Sequence, residues 1–243
     1  MSHLSKETLE SAKITVLPDH FYYIPNFISP EEEASILQKI PPNRWTQLTH
    51  RRLQPHPSPL TPTNVLLAAP LPPWLSTHPP LLPRFHHLAL FDSTPHASPN
   101  HVLVNEYRPG EGIMPHEDGA AYAPVVATVS LGGATCLDIY EKVDGEGTET
   151  AKDGRVRGKY RILQEPRSLL ITMGRAYVDL LHGIAPVEVD ENLNADTVAN
   201  WGLLGAPGDY EDGRSARETR VSLTYRDVLK VSQVMKGLFG RQK

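Results

Sequence analysis

Val102-Leu103-Val104-Asn105-Glu106-Tyr107-Arg108-Pro109-Gly110-Glu111-Gly112 starts as a run of branched and aromatic residues and ends in a Pro/Gly turn signal. That is the pattern of a strand running into a tight bend. Five more short runs of the same kind follow: Pro124–Leu131, Cys136–Glu141, Tyr160–Gln164, Ser168–Met173 and Thr219–Val228. Turn residues separate them, and no helical run of useful length lies between most of them, which argues against a βαβ parallel sheet. The expected fold is mainly β, a sandwich or jelly roll. Two polar loops rich in Gly, Asp and Asn interrupt it, Lys142–Lys159 and Glu188–Arg217.

Upstream the pattern changes. Ser29, Pro30 and Glu32 form a capping box with proline in the first turn, Glu31 to Glu33 suit the positive end of a helix dipole, and Ile36, Leu37 and Ile40 share one face. A helix is expected there, ended by Pro41-Pro42. From Pro55 to Pro99 the chain holds 12 of its 23 prolines, with His56, His78, His86, His87 and His96. Such density excludes central strands and predicts loops and turns laid over a scaffold, with a short helix near Trp74. The length suggests a lid or recognition surface, against an insertion with no such role. The expected division is therefore residues 1–100 as N-terminal helix and Pro-rich lid segment, 101–230 as jelly-roll core with insertions near 142–159 and 188–217, and 231–243 as a C-terminal tail.

The 243 residues are 40% hydrophobic and 21% charged, which fits a globular protein with one full-sized core. The polar start and the absence of a long apolar run point away from a secretory signal and a membrane span. A single cysteine, Cys136, excludes an internal disulfide and suits a reducing compartment, nucleus or cytoplasm; its apolar surroundings read as core. The net charge of −4 shows none of the basic surplus usual in nucleic-acid binders. Lys230, Lys236, Arg241 and Lys243 near the end read as a solvated tail before a basic patch.

Candidate chemistry starts at His116-Glu117-Asp118. In extended chain, residues i and i+2 share a face, so an imidazole and a carboxylate point the same way. Two histidines and one carboxylate on one face of a metal suit a non-haem Fe(II) oxygenase. Alone the pair is weak, since 11 histidines make a chance His-x-Asp common. His182, between Val178-Asp179-Leu180-Leu181 and Gly183, is either a core histidine or the third ligand that a jelly roll would bring alongside. Arg220-Val221-Ser222-Leu223-Thr224-Tyr225-Arg226 alternates strictly, with Arg220, Ser222, Thr224 and Arg226 on one face. Buried, that face needs an anion, and guanidinium grips carboxylate bidentately; exposed, it would pair with Glu218 and Asp227. Asn105 and Tyr107 share a face in the same way, as hydrogen-bonding partners or as structural residues.

Taken in order, Asn105-x-Tyr107, His116-x-Asp118, His182 and Arg220-x-Ser222-x-Thr224-x-Arg226 resemble the AlkB-like family of Fe(II)/2-oxoglutarate dioxygenases. Pro109-Gly110-Glu111-Gly112, Met114 to Gly119, Leu137-Asp138-x-Tyr140-Glu141, Glu165 to Leu170, Leu181-His182-Gly183-Ile184 and Trp45-Thr46-Gln47-Leu48 look similar to its sixth-homologue subfamily. The likeness covers about residues 22 to 228. It implies a double-stranded β-helix with N-terminal nucleotide-recognition lids. It implies Fe(II) on His116, Asp118 and His182, and 2-oxoglutarate on Arg220 with Asn105, Tyr107, Ser222 and Arg226 assisting. With O2, such a site hydroxylates a C–H bond, and an N-methyl group so treated leaves as formaldehyde.

The sequence departs from the family in two ways. Gly119, Ala120 and Ala121 stand where repair-type members often carry an acidic residue, and a long gap separates His182 from Arg220, read as a substrate-side insertion. The leading expectation is oxidative demethylation of modified nucleic acid, RNA or DNA, with Tyr122, Trp45 and Trp74 as candidates for an aromatic pocket. The alternatives are a protein hydroxylase or demethylase on the same scaffold, a nucleic-acid-binding or protein-binding module with little turnover and, more distantly, a zinc hydrolase.

Overall fold

A computed structural model of the chain describes residues 5–18, 20–142 and 160–232. Its strands are β1 (Phe21–Ile24), β2 (Thr46–Gln47), β3 (Arg52–His56), β4 (Leu66–Leu67), β5 (His101–Tyr107), β6 (Ile113–His116), β7 (Tyr122–Gly132) and β8 (Thr135–Glu141). They continue as β9 (Tyr160–Gln164), β10 (Leu169–Met173), β11 (Leu180–Ile184), β12 (Val189–Glu191), β13 (Arg214–Ala216), β14 (Arg220–Val228) and β15 (Val231–Ser232). The helices are α1 (Lys6–Ser11), α2 (Pro30–Lys39), α3 (Leu81–His87) and α4 (Gly174–Asp179).

A seven-stranded sheet in the order β1-β10-β7-β14-β5-β3-β2 faces a four-stranded sheet in the order β6-β11-β8-β9. This is the expected jelly roll, and the six strands read from the sequence match β5, β7, β8, β9, β10 and β14 to within two residues at each end. The strands the sequence did not reveal include β6 and β11. Pro115 in one and Gly183 in the other weaken the β signal, and each strand is only four or five residues long. The first hundred residues extend the large sheet through β1, β2 and β3. Residues 143–159 of the first polar loop and 233–243 of the tail lie outside the described residues.

Strand alternation divides the large sheet into two faces. Val102 and Val104 of β5, Val125, Ala127 and Val129 of β7, Leu169 and Ile171 of β10, and Val221, Leu223 and Tyr225 of β14 form one core with Ile36, Phe85, Leu88 and Phe91. Their neighbours Asn105, Tyr107, Val126, Thr128, Leu170, Thr172, Arg220, Ser222, Thr224 and Arg226 face the space between the sheets. Every residue of β14 is buried, so the alternation read from sequence separates a polar cavity from a dry core rather than a core from water.

The helical layer is tied down by charge as well as by packing. The α2 capping box forms as expected: Glu32 N–H donates to Ser29 Oγ at 3.2 Å and Ser29 N–H to Glu32 Oε2 at 2.9 Å. Arg84 of α3 donates to both Glu32 oxygens, at 3.0 and 2.7 Å, and so binds the Pro-rich segment to α2. The short helix expected near Trp74 is a 3-10 turn, Pro73–Leu75. The sequence did not show α3, because Pro83 reads as a breaker; in the first turn of a helix its missing N–H is not needed. Through Leu81, Phe85, Leu88 and Leu90 this segment packs on the outer face of the large sheet, and none of residues 57–100 lines the cavity.

The loop expected to be a substrate-side insertion, 188–217, lies elsewhere too. It covers the outer face of the small sheet, where Leu193, Val198 and Tyr210 pack on Cys136 and Leu163. Asn200 accepts from Leu163 N–H at 2.9 Å and donates to Leu163 C=O at 2.8 Å. Arg217 grips Asp190 with two 2.8 Å bonds, an ion pair buried on both sides. A loop holding this many apolar groups goes to the nearest uncovered apolar surface, and here that surface is the back of β8 and β9. Cys136 is part of this core, 2% exposed, and burial raises its thiol pKa well above the ordinary range.

Two further histidines are sealed inside. His56 Nδ1 faces the donor-only Arg44 guanidinium at 3.2 Å, so Nε2 carries the proton and donates to Gln54 Oε1 at 3.2 Å. Burial lowers its pKa to about 4, helped by Arg44 and His101. Burial also lowers His101 to about 4, with Arg226 adding to the effect and the Ser58 carbonyl opposing it. Above pH ~6.5 both histidines are neutral whether folded or unfolded. As pH falls toward about 4, the unfolded chain takes up protons that the folded chain does not, so stability falls through that window and levels off below it. Thermal melts of metal-free protein should show this fall, each histidine contributing on the order of 1 kcal/mol or more, and His101→Gln should flatten it. Melting curves independent of pH between those limits would contradict the assignment.

Candidate metal centre

The cavity between the sheets has a volume of about 320 Å³ and is lined from both. At one end β6 and β11 run antiparallel with His116 directly opposite His182, ring centroids 4.4 Å apart. The chain approaches closely at Gly112, just before β6, and at Gly183 of β11. A Cβ on Gly112 would meet the Ile184 carbonyl oxygen at 2.2 Å, and one on Gly183 the Ile113 carbonyl at 3.0 Å. Asp118 follows on the loop after β6. One ligand atom from each of His116, Asp118 and His182 lies within 4.8 Å of the others.

The protonation states suit a divalent cation. His116 Nδ1 lies 2.9 Å from the Met114 carbonyl, which can only accept, so Nδ1 carries the proton and Nε2 is free to coordinate. Burial pushes His182 down to about 4 against the opposing pull of Asp118, leaving a neutral imidazole at pH 7. Burial also resists ionisation of Asp118, but Arg226, His182 and His116 outweigh it and hold the carboxyl below the usual range. Arg226 grips both Asp118 oxygens, Nε at 3.2 Å and Nη2 at 2.5 Å, with both side chains buried. Of the residues expected to assist 2-oxoglutarate, Arg226 is thus already committed to the carboxylate of the metal group.

At the other end Arg220 is buried. Its Nη2 donates to Ser130 Oγ at 2.9 Å and Gln164 Oε1 at 3.1 Å, while Nε has no partner. No carboxylate forms an ion pair with it among the described residues, and burial lowers its pKa to about 10. A buried guanidinium that lines a cavity and keeps an unpaired donor is a receptor for an anion. Ser222, Thr224, Asn105 and Tyr107 line the wall between Arg220 and the metal group. All the expected metal and co-substrate residues therefore converge on one cavity.

The aromatic expectations divide. Tyr122 lines the cavity, with the Arg226 guanidinium 5.0 Å from its ring centre. Trp45 carries Arg52 over its ring at 4.4 Å outside the cavity, and Trp74 is buried in the outer core edge-on to His56. Phe21, Tyr177 and Arg51 line the cavity in their place. Tyr177 is on α4, and its hydroxyl is buried without a hydrogen bond. Sequence reasoning passed over these three. The one available signal was Arg51-Arg52 just after the Trp45-containing motif, and nothing in it says which arginine turns inward.

A family model described as the 2OG-Fe(II) oxygenase superfamily matches residues 20–226. The chain belongs to this superfamily. Such oxygenases use Fe(II), 2-oxoglutarate and O2, and a group of two imidazoles and a carboxylate in one cavity with a guanidinium that has no ion-pair partner among the described residues fits both metal and keto acid. The AlkB-like resemblance of the motifs is also borne out. This oxygenase is 39% identical to the probable RNA/DNA demethylase ALKBH6 of Danio rerio over 95% of its own length and 96% of the relative's. It is 26% identical to the tRNA (carboxymethyluridine(34)-5-O)-methyltransferase alkbh8 of Xenopus tropicalis, over 94% of this chain but 35% of that one. The solved structure of OsALKBH1 superposes with a TM-score of 0.51 at 14% identity, covering 87% of this chain and 99% of the other, and speaks for the fold alone.

The close seam between β6 and β11 makes Gly112 a sensitive position. Gly112→Ala drives a methyl into the Ile184 carbonyl and displaces the strand that carries His182. Its expected consequence is metal affinity weakened about tenfold or more, measured by Co(II) absorption in protein that still melts cooperatively. Gly119→Ala, with no atom within 4 Å of the added methyl, should bind as wild type.

Proposed function

We propose that His116, Asp118 and His182 hold Fe(II), that Arg220 holds the far carboxylate of 2-oxoglutarate with Ser222, Asn105 and Tyr107 beside it, and that the substrate is alkylated nucleic acid, RNA or DNA. The observation that carries the reading of the site is the buried Nε of Arg220, unpaired in the same cavity as the three ligand atoms. When bound, Fe(II) with 2-oxoglutarate and O2 supplies the oxidation of an unactivated C–H bond, and an N-methyl group so hydroxylated is released as formaldehyde.

The chain's own residues do the rest. Met114 C=O fixes the His116 tautomer and ring. Arg226 keeps Asp118 ionised and aimed. Phe21, Leu170, Leu180 and Ile184 wall the cavity with apolar surface and thin the water around the reacting carbon. Tyr122 offers a ring face for a flat ring system at the metal end. Support for a nucleic-acid substrate comes from the likeness to the Danio rerio protein. An overall charge of −4 confines phosphate attraction to local cations, and Arg51 at the cavity is one.

The test is to incubate Fe(II)-loaded enzyme and 2-oxoglutarate with methylated RNA, methylated DNA and methylated histone peptides, measuring formaldehyde and succinate. Formaldehyde from RNA or DNA is expected, and formaldehyde from peptides alone would reject the nucleic-acid reading. His116→Ala should abolish succinate formation. Arg220→Ala should raise the KM for 2-oxoglutarate by about tenfold or more with a smaller effect on kcat, since the guanidinium binds a part of the co-substrate that does not react.

A further inference from the structure

The hairpin formed by β2 and β3 brings an arginine to the co-substrate wall. Arg51 directly precedes β3, whose pairing with β5 places Arg52 opposite Glu106 and Leu53 opposite Asn105. Arg52 turns outward to Glu106 at 2.6 Å. By strand alternation Arg51 turns the other way, into the cavity, where its Nε lies 3.3 Å from the Asn105 side chain.

That contact decides which way the Asn105 amide points. A guanidinium has donors and no acceptor, so the Asn105 atom that meets it must be the carbonyl oxygen. The NH2 group then lies on the other side, and no acceptor meets it among the described residues. Asn105 sits directly opposite Ser222 of β14, on the wall between the metal group and Arg220. We propose that Arg51 is a positioning residue for the co-substrate: it locks the Asn105 amide with its NH2 toward the bound keto acid, so that a residue of the β2–β3 hairpin sets 2-oxoglutarate affinity without touching the metal. Without Arg51 the amide is free to flip and to present its oxygen, which repels a carboxylate. This rests on the reading of Arg220 and its wall as the 2-oxoglutarate site.

The experiment measures 2-oxoglutarate binding calorimetrically to protein loaded with Zn(II), which cannot turn over. Arg51→Met is expected to weaken binding about tenfold, the scale of one charge-assisted hydrogen bond, with the melting temperature unchanged. Asn105→Ala should weaken it comparably, and Asn105→Ala with Arg51→Met should be no weaker than Asn105→Ala alone, because the two residues act through one hydrogen bond to the ligand. Arg51→Lys keeps the charge but not the fixed donor and should recover only part of the loss. Arg51→Met binding as tightly as wild type, or losses that multiply in the double variant, would overturn the proposal. Arg220→Ala is the control for the underlying site. If it binds as wild type, the co-substrate reading itself fails and the role of Arg51 falls with it.

Discussion

A guanidinium taken out of water costs several kcal/mol unless something negative goes with it. Strand β14 takes two, Arg220 and Arg226, 3% and 6% exposed, and much of the molecule follows from how each is answered. Arg226 is answered internally by Asp118 in a bidentate pair, which ties the loop after β6 to the large sheet and places a carboxylate beside two histidines. Arg220 is answered only in part, by the neutral oxygens of Ser130 and Gln164. One buried cation builds the metal group, and the other leaves a demand for an anion at the opposite end of the same cavity.

The structure keeps this arrangement by giving each face of the sheets a different task. Apolar residues on the outside of the large sheet go to α2, α3 and the Pro-rich segment, and those on the outside of the small sheet go to the 188–217 loop. The inner faces are thereby free to carry polar groups that would otherwise destabilise a core. Both long connections act as cladding, and the cavity is shaped by short elements: the β6 and β11 seam, α4 and the β2–β3 hairpin.

How much of this was legible beforehand depends on the range over which each feature is encoded. Six strands could be read because β propensity and alternation are local, and α2 because Ser29, Pro30 and Glu32 announce it. The strict alternation from Arg220 to Arg226 separated the polar face from the apolar one correctly. The motifs from Asn105 to Arg226 named the candidate ligands through a family likeness, since His116 and His182 are far apart in the chain and only register makes them neighbours. The course of the 188–217 loop was not legible, because a polar composition does not reveal that Leu193, Val198 and Tyr210 have a dry surface to meet. Nor were Phe21, Arg51 and Tyr177, whose direction depends on pairing that no local pattern specifies.

The pairing of β14 with β5 sets Arg220 opposite Tyr107, Ser222 opposite Asn105 and Arg226 opposite His101. Because side chains alternate by single residues, a slip of one position would turn both guanidiniums into the hydrocarbon layer under α3 and turn Val221, Leu223 and Tyr225 toward the reaction space. A chain misaligned at this seam would therefore lose its core and its chemistry together, so the register that builds the one also protects the other.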